Sequence, residues 1–197
     1  MSRVEPLNRR EAVRALLARR ADGLVVAGLG GSVWDTAAAG DSPLNLYLWG
    51  AMGSAATVGL GLAIAQPGRR VVVFTGDGEM LMGIGSLATI AAERPTNLAI
   101  VVLDNERFGE TGMQATHTAA GVDLARVAEA CGFPRTAVAR DRTSLESVGE
   151  MIWAASGPAL SVVKVRAERL PLVMPPRDGA YLKDRFRHAL IGRNAVI

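Results

Sequence analysis

Four short apolar runs limit the folds open to this chain: LVVAG at 24–28, VVVFT at 71–75, LAIVVL at 98–103 and LSVVKV at 160–165. Each is rich in β-branched residues, and none keeps the strict apolar–polar alternation of a strand with one wet face. A strand covered on both faces has no need of that alternation, so the runs predict strands inside a parallel sheet packed by helices on either side. Segments of helix length lie between them. At 123–131, Leu124, Val127, Ala128 and Cys131 share one helical face, with Asp123 placed to cap the start and Gly132 to end it. Thr143 and Glu146 have the spacing of a capping box ahead of a stripe of Leu145, Val148, Ile152 and Trp153. Asn8 and Glu11 form a similar pair ahead of Val13, Leu16 and Leu17, and the arginines there lie mostly off that face, where solvent is expected. The pattern as a whole predicts the α/β class, a doubly wound parallel sheet with helices on both faces.

The chain has 197 residues, the size of one domain with a real core. With 49% hydrophobic and 21% charged residues it is neither disordered, collagen-like nor a coiled coil. Its net charge of +3 comes from scattered arginines, lysine occurring only at 164 and 183, so no nucleic-acid groove is expected. Cys131 is the single cysteine. That excludes an internal disulfide framework and any cysteine-based cluster or zinc site; it suits a reducing cytoplasm and a core thiol. Residues 1–23 show no secretory signal pattern. Residues 42–68 carry no charge and approach the length of a membrane span, about 20 residues, but Pro43, Asn45, Gln66 and Pro67 bracket a centre of Gly, Ala, Ser and Thr. A helix buried between protein layers is expected there instead. Pro171, Pro175 and Pro176 interrupt the chain before a helical stretch at 181–190. This tail, 167–197, is expected to pack on a neighbouring subunit, with His188 on its solvated side.

The chemistry concentrates where strands end. The run at 71–75 leads into Gly76-Asp77-Gly78 and an expected helix at 80–92. Ligands collect at such strand ends in open α/β sheets, and glycines and free helix N–H groups there favour an anion such as phosphate. Asp77 would repel that anion unless a divalent cation sat between them, and a hard ion such as Mg2+ needs further oxygen ligands. The next run ends in Asp104-Asn105-Glu106-Arg107, and a neighbouring parallel strand would deliver it to the same edge.

In this order and spacing the two segments resemble the cofactor-binding half of thiamine diphosphate enzymes, and Gly50-Ala51-Met52-Gly53 upstream adds to the likeness. GAMGSAATVGLGLA (50–63), GDGEMLMGIGSLATIA (76–91), LDNERFGETG (103–112) and PPRDGAYLKDRFRHAL (175–190) resemble the β subunit, or C-terminal half, of sulfopyruvate and phosphonopyruvate decarboxylases over nearly the whole chain. The resemblance implies the thiamine diphosphate-binding fold and the cofactors thiamine diphosphate and Mg2+. It implies Asp77, the Asn105 side-chain oxygen and the Arg107 carbonyl as metal ligands, and leaves Asp104 unassigned. The Gly50 carbonyl would accept from the pyrimidine amino group, and Met52 would fill the bend of the cofactor; a gap-filling core methionine is the alternative. Gly76, Gly78, Glu79, Gly109 and Glu110 complete the expected cofactor contacts, and the loop Gly30, Gly31 and Ser32 could add diphosphate donors.

His117 lies in an expected loop beyond the metal site, where a proton-transfer group would serve; a surface histidine fits equally well. Ser54 stands where relatives often carry His, which touches substrate choice. In the family a Glu on a separate pyrimidine-binding domain contacts the cofactor, and this one domain is taken up by the diphosphate end. The implied protein is therefore the diphosphate-binding subunit of a heteromeric decarboxylase of a small 2-oxo acid, its partner subunit supplying that Glu. A carboligase or lyase on the same cofactor, a 2-oxo acid oxidoreductase subunit and a non-catalytic nucleotide-binding module are the alternatives.

Overall fold

The computed structural model describes residues 6–154 and 156–192; the first residues of the N-terminal stretch and the last of the tail discussed above lie outside them. One six-stranded sheet organises the chain, in the order β2-β1-β3-β4-β8-β7 and parallel throughout. The strands are β1 (Leu24–Ala27), β2 (Asn45–Tyr47), β3 (Val71–Gly76), β4 (Leu98–Asp104), β7 (Arg135–Ala139) and β8 (Ala159–Lys164); β5 (Arg107–Phe108) and β6 (Gln114–Ala115) pair separately as a small antiparallel ribbon. The helices are α1 (Arg9–Leu17), α2 (Gly31–Ala38), α3 (Ala55–Ala65), α4 (Asp77–Met82), α5 (Ser86–Glu93), α6 (Leu124–Cys131), α7 (Arg142–Ala154) and α8 (Gly179–Ile191).

Period-two geometry sorts the buried strand residues between two layers. Val71 and Val73 face α3, α5 and α6, while Val72 and Phe74 face α1 and α7. β1, β3 and β4 are buried along nearly their whole length, which is why their sequences do not alternate. Burying a side chain such as Phe74 contributes about 1.5–3 kcal/mol.

Several expectations need correction. The cap of α7 is not Thr143 with Glu146: Asp141 accepts from the Ser144 N–H at 2.8 Å while the Ser144 hydroxyl accepts from the Asp141 N–H at 3.1 Å. The helix therefore starts two residues early, on a box made by Asp and Ser. The single helix expected at 80–92 is two, α4 and α5, parted at Gly83-Ile84-Gly85. Gly83 lies so close to the Gly53 carbonyl that a Cβ there would collide with it, and the chain bends where only glycine fits. The uncharged stretch 42–68 is not one buried helix. It holds β2, then a turn with Ala51 at φ 56 and Gly53 at φ 92, and only then α3, whose outer face exposes Thr57, Gly61 and Ile64. Among the described residues no helix is long and apolar enough to cross a membrane. The arginines opening α1 do not all face solvent, since Arg9 and Arg10 both pair with buried Asp35.

The cap of α6 is as expected, Asp123 accepting from Ala125 and Arg126 N–H, with Gly132 at φ 102 closing it. Cys131 is half-buried against the α3–α5–α6 layer. In the tail, α8 lies on this chain's own β2: Leu182 is buried with Tyr47, and Arg185 Nη1 meets Asp41 Oδ2 at 2.7 Å. His188 is exposed, as expected. The extended segment before α8 exposes Leu172, Val173 and Met174.

Candidate active site

After β1 the chain crosses to β2 on one side, and after β2 to β3 on the other, so the sheet has its topological switch at β1 and β3. The crevice at a switch point, outside the carboxyl ends of the strands, is where open α/β sheets take ligands. Ala27 pairs with Phe74 and Gly76 with Leu103, which brings the ends of β1, β3 and β4 to one edge. A cavity opens there. Gly30, Gly31, Ser32, Met52, Gly76, Asp77, Gly78, Glu79, Asn105, Arg107, Gly109 and Glu110 all line it, so the expected cofactor residues gather in one place.

Two expected residues stand apart. Gly50 is exposed and outside the cavity lining, in the turn ahead of α3. His117 is exposed and also outside it, at the start of a 3-10 turn (His117–Ala120). Its neighbours reach the site instead. Thr116 and Thr118 are buried; the Thr116 hydroxyl donates to Asp77 Oδ2 at 2.5 Å, and that of Thr118 lies 3.1 Å from the same oxygen and 2.9 Å from Asp104 Oδ1. Sequence reasoning also missed Arg9, Leu103 and Phe108 in the lining.

Asp77 is only 2% exposed, and burial pushes its carboxyl above the usual range. The Thr116 hydroxyl draws it back, the Asp104 charge pushes it further up, and Thr118 draws it back again. Asp104 has its own counterion: Lys164, at the end of β8, reaches Asp104 Oδ2 at 2.7 Å and Glu106 Oε1 at 2.9 Å. Burial works against the Lys164 charge, but these carboxylates outweigh it and hold its pKa up. Glu79 is pushed up by burial and restrained by the Thr75 hydroxyl and the Leu29 N–H, which bond its Oε2 at 2.9 and 3.1 Å. Glu110 is exposed at the mouth, accepting from Trp34 Nε1 at 3.2 Å.

These residues fit a divalent cation. Two buried carboxylates, Asp77 and Asp104, share Thr118 and have one lysine between them on the Asp104 side, which leaves Asp77 short of positive charge. Both hydroxyl contacts fall on Oδ2 and leave Oδ1 for a ligand. The Asn105 side-chain oxygen is oriented by the Arg107 N–H at 3.0 Å. One carboxylate and neutral oxygens are hard donors of the kind Mg2+ uses while it keeps water or phosphate ligands. Among the described residues no group of three His, Cys, Asp or Glu side chains comes together for a metal. The glycines divide their duties. A Cβ on Gly76 would meet nothing, leaving the backbone open to the cavity, whereas one on Gly78 would lie 2.5 Å from Phe108.

Residues 35–163 match the family described as thiamine pyrophosphate enzyme, C-terminal TPP binding domain. The chain is 38% identical over 180 residues to sulfopyruvate decarboxylase subunit beta of Methanothermobacter thermautotrophicus, covering 91% of this chain and 94% of that one. It is 41% identical over 167 residues to phosphonopyruvate decarboxylase of Streptomyces viridochromogenes, covering 84% of this chain and 42% of that longer one. The solved structure of benzoylformate decarboxylase from Polynucleobacter necessarius shares the fold, with a TM-score of 0.70 at 18% identity over 85% of this chain and 34% of that one.

Proposed function

The chain belongs to the thiamine pyrophosphate enzymes through their C-terminal TPP-binding domain, and from that premise we propose that it holds the diphosphate and Mg2+ in a heteromeric decarboxylase of a small 2-oxo acid, sulfopyruvate- or phosphonopyruvate-like. The observation that carries this reading is the gathering of the Asp77 and Asn105 segments with the Gly30–Ser32 loop at one switch-point cavity, in a chain that spans 94% of a relative named as a decarboxylase β subunit. Asp77, the Asn105 oxygen and the Arg107 carbonyl would hold the metal, and the N–H groups of the Gly30–Ser32 loop would donate to the diphosphate. When bound, thiamine diphosphate supplies the electron sink for release of CO2. Met52, which lines the cavity and is 36% exposed, would pack against the bound cofactor.

The pyrimidine end belongs to a partner subunit carrying a catalytic Glu. Two glutamates of this chain line the cavity; Glu79 is turned onto Thr75 and Leu29, and Glu110 onto Trp34. Gly50, Met52 and the outer face of α3 form the surface that receives the partner, and the exposed Leu172–Met174 segment adds a second apolar contact for a neighbouring subunit. A lone half-buried cysteine suits a cytoplasmic assembly.

The test is CO2 release from sulfopyruvate, phosphonopyruvate and pyruvate by the purified full chain, with and without its partner subunit. Turnover should need both, and efficient turnover by this polypeptide alone would overturn the two-chain reading. Product analysis separates decarboxylation from carboligation.

A further inference from the structure

Helix α3 starts without a cap of its own. The Ser54 hydroxyl donates back to the Ala51 carbonyl at 2.6 Å and caps no N–H of the helix, and the first turn holds no acidic residue. Free N–H groups at a helix start need an acceptor, and a negative charge suits them best. Glu79, on α4, supplies one. It is 4% exposed; burial raises its carboxyl, and the Thr75 hydroxyl and then the N–H groups of Leu29, Gly53 and Ala55 draw it back. Its Oε2 takes the Thr75 hydroxyl at 2.9 Å and the Leu29 N–H at 3.1 Å, while Oε1 is buried with no partner of regular hydrogen-bond geometry among the described residues. A Cβ added to Gly28 would sit 2.0 Å from Oε2, so the carboxylate is packed hard against the end of β1. Past the other end of α4, Gly83 lies against the Gly53 carbonyl. The turn that carries Met52 is thus braced on both its N–H and its carbonyl side.

We propose that Glu79 is a positioning residue: its one carboxylate ties the start of α3 to the end of β1 and so sets Met52 against the segment after β1. The need for a carboxylate is chemical. Leu29, Gly53 and Ala55 present N–H donors, a carboxylate has only acceptors, and an amide of the same shape would turn N–H groups onto one of them. The sequence places Glu79 among the cofactor contacts, whereas its side chain bonds the backbone and the Thr75 hydroxyl and acts through the segments it joins. The catalytic consequence rests on the function proposed above, because it runs through Met52; the tie between the two segments does not.

The test perturbs one segment and reads the other. Amide hydrogen exchange of the full chain, with no cofactor added, follows residues 28–32 and 51–56 separately. Glu79→Gln should speed exchange of both by about tenfold, the loss of one charged hydrogen bond, while β4 and β8 keep their protection. Gly28→Ala crowds the carboxylate from the β1 side and should speed exchange at 51–56, whose sequence it leaves intact; on top of Glu79→Gln it should add nothing there. If Glu79→Gln does not fold, Thr75→Val, which removes one donor and keeps the shape, should loosen both segments by about threefold. Unchanged exchange at 51–56 in Gly28→Ala and Thr75→Val, or faster exchange spread evenly over the chain, overturns the proposal. A second arm uses the chain assembled with its partner. Glu79→Gln should lower kcat about tenfold with KM within about threefold, and Met52→Ala should cost less in that background than in wild type, because Met52 is already displaced. Two losses that multiply in full would break the link to Met52. A wild-type assembly that releases no CO2 overturns the function, and the exchange arm still decides the tie.

Discussion

Replacing Lys164 with Met tests whether the site's carboxylates are held in place by the end of β8. Lys164 is the counterion of Asp104, which is 2% exposed, at 2.7 Å, and it reaches Glu106 as well. Breaking a buried ion pair from one side costs about 3–5 kcal/mol because a charge is left uncompensated. The Lys164 side chain is 19% exposed and that of Glu106 is 44% exposed, so water relieves part of this, and a loss of about 2–3 kcal/mol is expected. For a domain of this size that lowers Tm by about 4–12 °C. Asp104→Asn removes the stranded charge, so the double variant should recover most of the loss, with a coupling of about 2 kcal/mol in the cycle. Mg2+ should stabilise Lys164→Met more than wild type, because the variant leaves Asp77, Asp104 and Glu106 with no cation among them. The assay is urea unfolding of the full chain with and without Mg2+. A Lys164→Met chain within about 0.5 kcal/mol of wild type, or a cycle with no coupling, would refute the reasoning.

The remaining predictions concern ligands and the tail. Asp77→Ala should abolish Mg2+-dependent thiamine diphosphate binding, and Asn105→Ala should weaken it less, because a neutral ligand is lost; calorimetry of the folded variants decides. Met52→Ala should lower kcat of the assembled enzyme more than it lowers cofactor affinity, and an equal loss of both returns Met52 to core filler. Burial tends to raise the Asp41 carboxyl, but hydrogen bonds from Arg185 and Tyr47 outweigh it and hold its pKa below the usual value. Its support for α8 is therefore complete above the unfolded carboxylate range, about pH 4, and lost as pH falls through the lower folded value. Hydrogen exchange of α8 should show no loosening between pH 7 and about 5 that Arg185→Ala abolishes, and an Arg185-dependent loosening below about pH 4.

How much of this was legible depended on how far each signal reaches along the chain. The strands buried on both faces announce themselves because nearly every residue in them is apolar, and the Asp77 and Asn105 segments follow because each sits directly after such a strand. β2 and β7 were not readable: they are the two edge strands, β2 has only three residues, and β7 leaves Arg135 and Val138 exposed. The break between α4 and α5 depends on the Gly53 carbonyl, some 30 residues upstream, and no local propensity reports it. The Arg9–Asp35 pair spans 26 positions, so an arginine off the apolar face of α1 reads as solvated until α2 is placed beside it. His117 drew attention by residue type, whereas its flanking threonines carry the contacts.

The charges of the cavity bear on the role proposed for Asp77. Three carboxylates line it, Asp77, Glu79 and Glu110, against the guanidinium groups of Arg9 and Arg107. Glu79 uses its Oε2 on Thr75 and Leu29, behind the cavity wall, and Glu110 is drawn to Trp34 at the mouth. Asp77 keeps its Oδ1 clear of side-chain donors, and Thr116 and Thr118 hold its Oδ2. An anion alone would meet that carboxylate, and a cation alone would find a single charged ligand. Each therefore needs the other, and metal and diphosphate should bind as a pair whose mutual dependence disappears with Asp77.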